Sequence, residues 1–234
     1  MVNLLLLNMI AHLLADFFFQ SDKWCKSKEV NGFRSSKLYL HAGVVFLLSA
    51  LLSFSADFLP YAFGIAAFHL LTDGLKSLLS SRKNIKGYLF FIDQLIHVVV
   101  ILGLVYLYSL QHNPDFLFSF QPNTLYYLAG YMLCAKPTNI IIKKIFDLYE
   151  IKIENQASLL NAGKLIGVYE RILTLTFVLL GRFEAVGFLI AAKSILRYKE
   201  GDVKRTEYVL IGTLLSFGIA VLTGIGIEFA LQFK

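Results

Sequence analysis

The sequence predicts an all-α, polytopic membrane bundle of about eight transmembrane helices, and three observations predict it. Of its 234 residues, 57% are hydrophobic and 16% charged, against roughly 25% charged in an average soluble chain. Runs such as LYLHAGVVFLLSALLSFSADF and EYVLIGTLLSFGIAVLTGIGIEFALQ reach the length of about 20 mostly apolar residues that a membrane-crossing helix needs. The third observation is the placement of lysine and arginine between those runs.

Apolar segments are read over residues 3–19, 38–58, 61–79, 88–110, 122–142, 164–181, 183–197 and 207–231. The first has no basic leader and holds His12 and Asp16 inside its apolar run, so it reads as a retained helix rather than a cleaved signal. Lys136 and Pro137 interrupt the fifth, which either crosses throughout or stops near Ala135 and continues as an interfacial helix. The sixth and seventh are short and meet at GRFE. They form either tilted spans or a re-entrant hairpin.

The loops orient these segments. Lys23, Lys26, Lys28, Arg34 and Lys37 lie in the first, and Arg82, Lys83 and Lys86 in the third. Lys143, Lys144 and Lys152 lie in the fifth, and Lys199, Lys204 and Arg205 in the seventh. The second and fourth have no lysine or arginine, and the sixth has only Arg182. Basic residues mark cytoplasmic loops, so the odd loops face the cytoplasm and both termini lie outside. The net charge of +6 therefore reports orientation and not a nucleic-acid surface. Cys25 and Cys134 form no close-spaced motif and imply no disulfide.

HLLAD at residues 12–16 returns as HLLTD at 69–73. His41 follows the first by 25 residues and His97 the second by 24, which suggests a tandem repeat of helix pairs about an axis along the membrane normal. The chain accordingly divides into three parts. Residues 1–110 form a four-helix metal-site half. Residues 111–163 hold an outer loop, the interrupted helix and an amphipathic connector, and 164–234 form a three-helix half with basic groups toward the cytoplasm.

Residues four apart share a helix face. With alternating directions, each of the pairs His12/Asp16, His69/Asp73 and Asp93/His97 places histidine deeper and aspartate nearer the cytoplasm, with His41 at the same level. A lone intramembrane histidine commonly serves as polar glue between helices. A set that repeats and matches in depth reads instead as a metal site. Three converging carboxylates repel one another unless a cation or protons intervene, and imidazole with carboxylate suits zinc, with manganese or iron as alternatives. His12, Asp16, His41, His69, Asp73, Asp93 and His97 are the candidate ligands. Seven exceed one tetrahedral site, so either two ions bind or some of these residues orient the ligands.

Asp93 is also a candidate general base. Glu170 is either a proton-transfer group or the partner of a neighbouring basic residue. Lys76, Arg171, Lys193 and Arg197 are candidates for holding an anionic group, although basic residues near helix ends also snorkel to the interface. His112, in QHNPD, reads as solvated.

The stretches HLLADFFFQ, HLLTDGLK, FIDQLIH, GKLIGVYERIL, GFLIAAKSILRY and EYVLIGTLLSF resemble a bacterial family of integral membrane proteins, the domain-of-unknown-function family 3307. That resemblance implies a multi-pass protein of the bacterial inner membrane and carries no activity. More distantly, the His/Asp-bearing helices are similar to membrane-bound metal-dependent hydrolases, in ligand pattern alone.

The expected function is a membrane-embedded metal-dependent hydrolase. It would act at the cytoplasmic face on a lipid-linked or amphiphilic, phosphate-containing substrate, with membrane lipids as its surroundings. The alternatives are a metal-ion or proton-coupled transporter and a scaffold or sensor with a structural metal. The orientation gives the first test. An impermeant thiol reagent applied to whole cells should label cysteines introduced within 111–121 and spare those within 20–37 and 80–87; the opposite pattern inverts the topology.

Overall fold

The computed structural model describes residues 1–80, 86–112, 121–151, 157–197 and 203–232, and every regular element among them is helical. Two compact units divide the chain, Met1–Ala129 and Gly130–Lys234.

In the first unit, α1 (Val2–Leu13) runs directly into a π-helical segment, Leu14–Phe19. A short polar helix follows, α2 (Asp22–Asn31), whose first turn is capped by the Ser21 hydroxyl accepting from Trp24 N–H. Such a cap satisfies an N–H that has no partner within the helix. Three long helices complete the unit: α3 (Ser36–Ser53), α4 (Leu59–Leu79) and α5 (Lys86–Gln111). Pro60 sits in the first turn of α4, where its missing N–H removes no bond.

Helices α1, α3, α4 and α5 close a ring. α3 packs on α1 and α4, α5 packs on α4 and α1, and α2 lies against α3 and α4. The chain runs alternately up and down this ring. As a result the start of α1, the end of α3, the start of α4 and the end of α5 meet at one end. Leu4, Val45, Phe58, Ala62, Ile101, Val105 and Tyr108 pack there as an apolar core. The other end gathers the polar residues. Meanwhile large apolar side chains face outward, among them Leu47, Phe63, Leu95, Val99 and Leu110, each more than half exposed. Charge inside and hydrocarbon outside is the reverse of a water-soluble bundle.

Among the described residues, five segments are long and apolar enough to cross a bilayer: Val2–Phe19, Ser36–Ser53, Ala56–Leu79, Gly87–Gln111 and Thr206–Gln232. The chain is thus compatible with a multi-pass membrane protein. Five of the eight expected segments meet that measure, and two details near the start of the chain depart from the sequence reading. The second apolar segment stops at Ser53, where Phe54 turns left-handed at φ 49°, and residues 56–58 form a tight turn leading into α4. The first basic loop contains α2, a helix with no apolar stripe to announce it.

In the second unit, α6 (Pro122–Cys134), which starts ahead of the unit boundary, is followed by α7 (Lys136–Leu148). α8 (Ala157–Leu179), α9 (Phe183–Arg197) and α10 (Val203–Gln232) complete it. α8 packs against α7, α9 and α10. The fifth apolar segment is therefore interrupted, with Ala135 at φ −80° and ψ −119°. Arg171, 1% exposed, takes up the groups this break sets free. Its guanidinium donates to Cys134 O at 2.6 Å, Ala135 O at 3.2 Å, Asn139 Oδ1 at 2.7 Å and Ser216 Oγ at 2.9 Å. The α8–α9 turn carries Gly181 at φ 67°. α9 has 15 residues, so it is about 22 Å long, short of the roughly 30 Å hydrocarbon core.

Hydrogen bonds to charged groups contribute roughly 1.5–3 kcal/mol each, and a lysine ammonium cannot reproduce the planar fork of Arg171. Arg171→Lys should destabilise the protein by at least about 2 kcal/mol, read as a lower melting temperature in detergent. An unchanged melt would show that the break at Ala135 holds without this fork.

Candidate metal centre

Spacing delivers the polar residues of the first unit to one place. On α4, His69, Asp73 and Lys76 follow at intervals of four and three residues and share one face. α5 presents Asp93 and His97 in the same way, and α3 contributes His41 from its second turn. His12 closes α1, whereas Asp16 lies in the π-helical segment, a winding that is rare and concentrates at functional sites. His12, His41, His69, Asp73, Asp93 and His97 are each at most 5% exposed.

Asp16 is central. Its Oδ1 lies 3.2 Å from His69 Nε2 and 3.3 Å from His41 Nε2, and those two nitrogens are 2.9 Å apart. His12 Nδ1 is 3.7 Å from the same oxygen, and His97 Nδ1 is 3.7 Å from Asp16 Oδ2. The His69 and His97 rings stack at 3.8 Å. Ligand atoms on one tetrahedral zinc, each about 2.0–2.1 Å from the metal, stand roughly 3.3–3.4 Å from one another. The Asp16–His41–His69 triangle has edges close to that length.

A second observation agrees with this fit. His12 Nδ1, Asp16 Oδ1, His41 Nδ1, Asp93 Oδ1 and His97 Nδ1 are buried without a hydrogen-bond partner among the described residues. Each unmet buried polar group costs about 1–3 kcal/mol, so a bound cation would offset a cost that the cluster otherwise bears. Three overlapping sets bring their ligand atoms within 4.8 Å of one another: His12, Asp16, His69 and His97; His41, His69 and Asp73; and Asp73, Asp93 and His97. All seven candidate ligands from the sequence meet in this one region.

Residues the sequence did not single out complete the surroundings. Lys28, on α2 and buried, is ion-paired with Asp73. Nothing set it apart from Lys23 and Lys26 in the same basic stretch, because the contact depends on how α2 folds back onto α4. Gln94 Nε2 donates to Asp16 Oδ2 at 3.0 Å, and Thr72 Oγ1 lies 2.6 Å from His97 Nε2. On the apolar side, a small void bordered by His12, His69 and His97 is completed by Asn8, which accepts from the Ser49 hydroxyl.

The expected anion-holding residues divide. Lys76 Nζ lies 2.7 Å from Asp93 Oδ2 and 3.8 Å from Asp73 Oδ1, with its side chain 32% exposed. Arg171 does not present itself to an anion, because four of its donors are directed at oxygens and a hydroxyl around the α6–α7 break. Lys193 is paired with Glu170 in the second unit, so Glu170 adopts the salt-bridge alternative. The Arg197 side chain lies outside the described residues. His112, expected in solvent, stacks on Tyr108 at 4.7 Å.

A family model described as "Protein of unknown function (DUF3307)" matches residues 4–126. The chain belongs to this family. No curated protein and no solved structure matched it. The matched segment contains every histidine and aspartate of the cluster together with Lys28 and Lys76, and it ends before Glu170 and Lys193.

Gly74 governs how closely the chain after α2 approaches α4. A Cβ there would sit 2.2 Å from Phe33 Cε1, too near for any tolerated contact. Gly74→Ala must displace Phe33, an overpacking that costs typically about 1–3 kcal/mol. It should lower the melting temperature and raise the reactivity of Cys25 on α2 toward thiol reagents. Desolvation by neighbouring groups holds that thiol above its ordinary pKa even though its side chain reaches the surface, so labelling is best run at mildly alkaline pH. No change in either readout would show that Phe33 is not tightly seated.

Proposed function

We propose that the protein is a membrane-embedded, metal-dependent hydrolase. In this reading it has eight spans in the bacterial inner membrane, termini outside, and acts at the cytoplasmic face on a lipid-linked or amphiphilic, phosphate-containing substrate. The observation that carries it is the Asp16–His41–His69 triangle with its zinc-length edges. Two histidines and one carboxylate are a ligand set of the catalytic kind, which leaves a coordination position open. A bound divalent ion, zinc with manganese or iron as alternatives, would supply Lewis-acid activation of a water and of a carbonyl or phosphoryl oxygen.

The residues around the triangle take the remaining roles. Gln94 orients Asp16 through its second oxygen. Asp93, held at Oδ2 by Lys76, keeps Oδ1 without a hydrogen bond and is the proposed base. Lys76, about one-third exposed, stands at the rim and would meet an anionic group first. The ring order α1, α3, α4, α5 suits a repeat of two helix pairs, since it sets α1 diagonal to α4 and α3 diagonal to α5.

A transporter is the second reading, favoured by the Asn8–Ser49 pair that extends polarity past the histidines. Against it, Leu4, Phe58, Val105 and Tyr108 fill the next layer of the ring, where a translocation path would have to run.

The deciding measurement is elemental analysis of protein purified without chelator or metal-affinity tag, beside assays in liposomes of native lipid. Roughly one ion per chain is expected, lost in His69→Ala and in Asp16→Asn. His12→Ala/His69→Ala should lose little more than His69→Ala alone, as groups acting as a unit do. Metal-dependent release of a water-soluble product supports the hydrolase. Metal uptake into the lumen without turnover would favour transport, and full occupancy in His69→Ala would overturn the centre.

A further inference from the structure

The Asp73–Asp93–His97 set has ligand atoms as close together as the other two sets, yet its carboxylates are already served. Lys76 Nζ lies between them, 2.7 Å from Asp93 Oδ2 and 3.8 Å from Asp73 Oδ1, and Lys28 pairs with Asp73 Oδ2. We infer that the ammonium groups of Lys28 and Lys76 stand in the place of a second cation at Asp73, Asp93 and His97, so that the centre takes one divalent ion and not two. This rests on the metal reading above and sets its stoichiometry.

Charge counting favours it. Asp16, Asp73 and Asp93 are the carboxylates of the cluster, and Lys28 and Lys76 are the ammonium groups paired with them. With the four histidines neutral, as metal ligation requires, the set carries a net charge of minus one. One divalent ion brings it to plus one, and a second would bring it to plus three in a setting with little water to spread the charge. Without the two lysines, two divalent ions return the cluster to plus one. The second position also retains a free ligand atom, because Asp93 Oδ1 is buried without a hydrogen-bond partner among the described residues and lies 3.7 Å from His97 Nε2. The lysines come from different places. Lys76 belongs to α4 itself, whereas Lys28 is brought in on α2. Movement of α2 away from α4 would therefore withdraw one of the two stand-in charges.

Manganese(II) binding to the detergent-solubilised full chain tests this, with stoichiometry from equilibrium dialysis and pairing from electron paramagnetic resonance. Wild type should saturate at one ion per chain with the spectrum of an isolated ion. Lys28→Met/Lys76→Met should take up twice as much and show exchange coupling between neighbouring ions, while Lys28→Arg/Lys76→Arg should remain at one. Saturation of wild type at two ions overturns the inference without any variant, so it stays decidable if the methionine variant does not fold. Saturation at one in both wild type and a folded Lys28→Met/Lys76→Met also overturns it, and leaves the metal centre itself intact. Wild type that binds none removes the metal reading first, and this inference with it.

Discussion

Three carboxylates drawn into the interior of an apolar bundle need positive charge among them, and the first unit is organised around that need. A buried, unpaired carboxylate is far more costly than a surface one. The up-and-down ring meets the requirement by segregating its two ends, packing hydrocarbon around Phe58 and Tyr108 at one and gathering imidazoles and carboxylates at the other. Lys76 supplies charge from within α4. Lys28 supplies it only because α2 folds back, which in turn depends on Gly74 leaving room for Phe33. A glycine with no chemistry of its own is thus part of the electrostatics of the cluster.

The second unit meets a related difficulty with a single buried cation. Breaking a helix at Ala135 leaves carbonyl oxygens without their usual N–H partners. Arg171 provides several donors from a single side chain. A cation near the end of an apolar segment looks, in a sequence, like a residue reaching for the interface or for an anion. Only its surroundings distinguish a residue that receives a ligand from one that completes the backbone.

The legible part of this molecule was whatever obeys a period. Helical class, the long apolar segments and the meeting of His12, His41, His69, Asp73, Asp93 and His97 follow from spacing along regular helices, and Asp16 joins them from the π-helical segment. What escaped depends on the path of the chain between helices. Lys28 lies 45 residues from its partner Asp73 and sits on a polar helix with no apolar face. The end of α3 at Phe54 also escaped, because a left-handed residue inside an apolar run leaves no compositional trace. Lys193 and Glu170 were visible as charges, but their choice of each other was not.

The winding of α1 has a consequence for the two motifs that begin with histidine. HLLAD and HLLTD share their spacing, yet the first passes from α- into π-helical backbone after Leu13 and the second stays in regular α-helix. The same letters therefore aim their aspartates differently: Asp16 turns among the histidines, whereas Asp73 meets Lys28. If the halves arose from one ancestral pair, their divergence lies partly in the pitch of the backbone and not wholly in side-chain identity. Grafting one motif onto the other would then exchange Ala15 for threonine and leave the asymmetry in place.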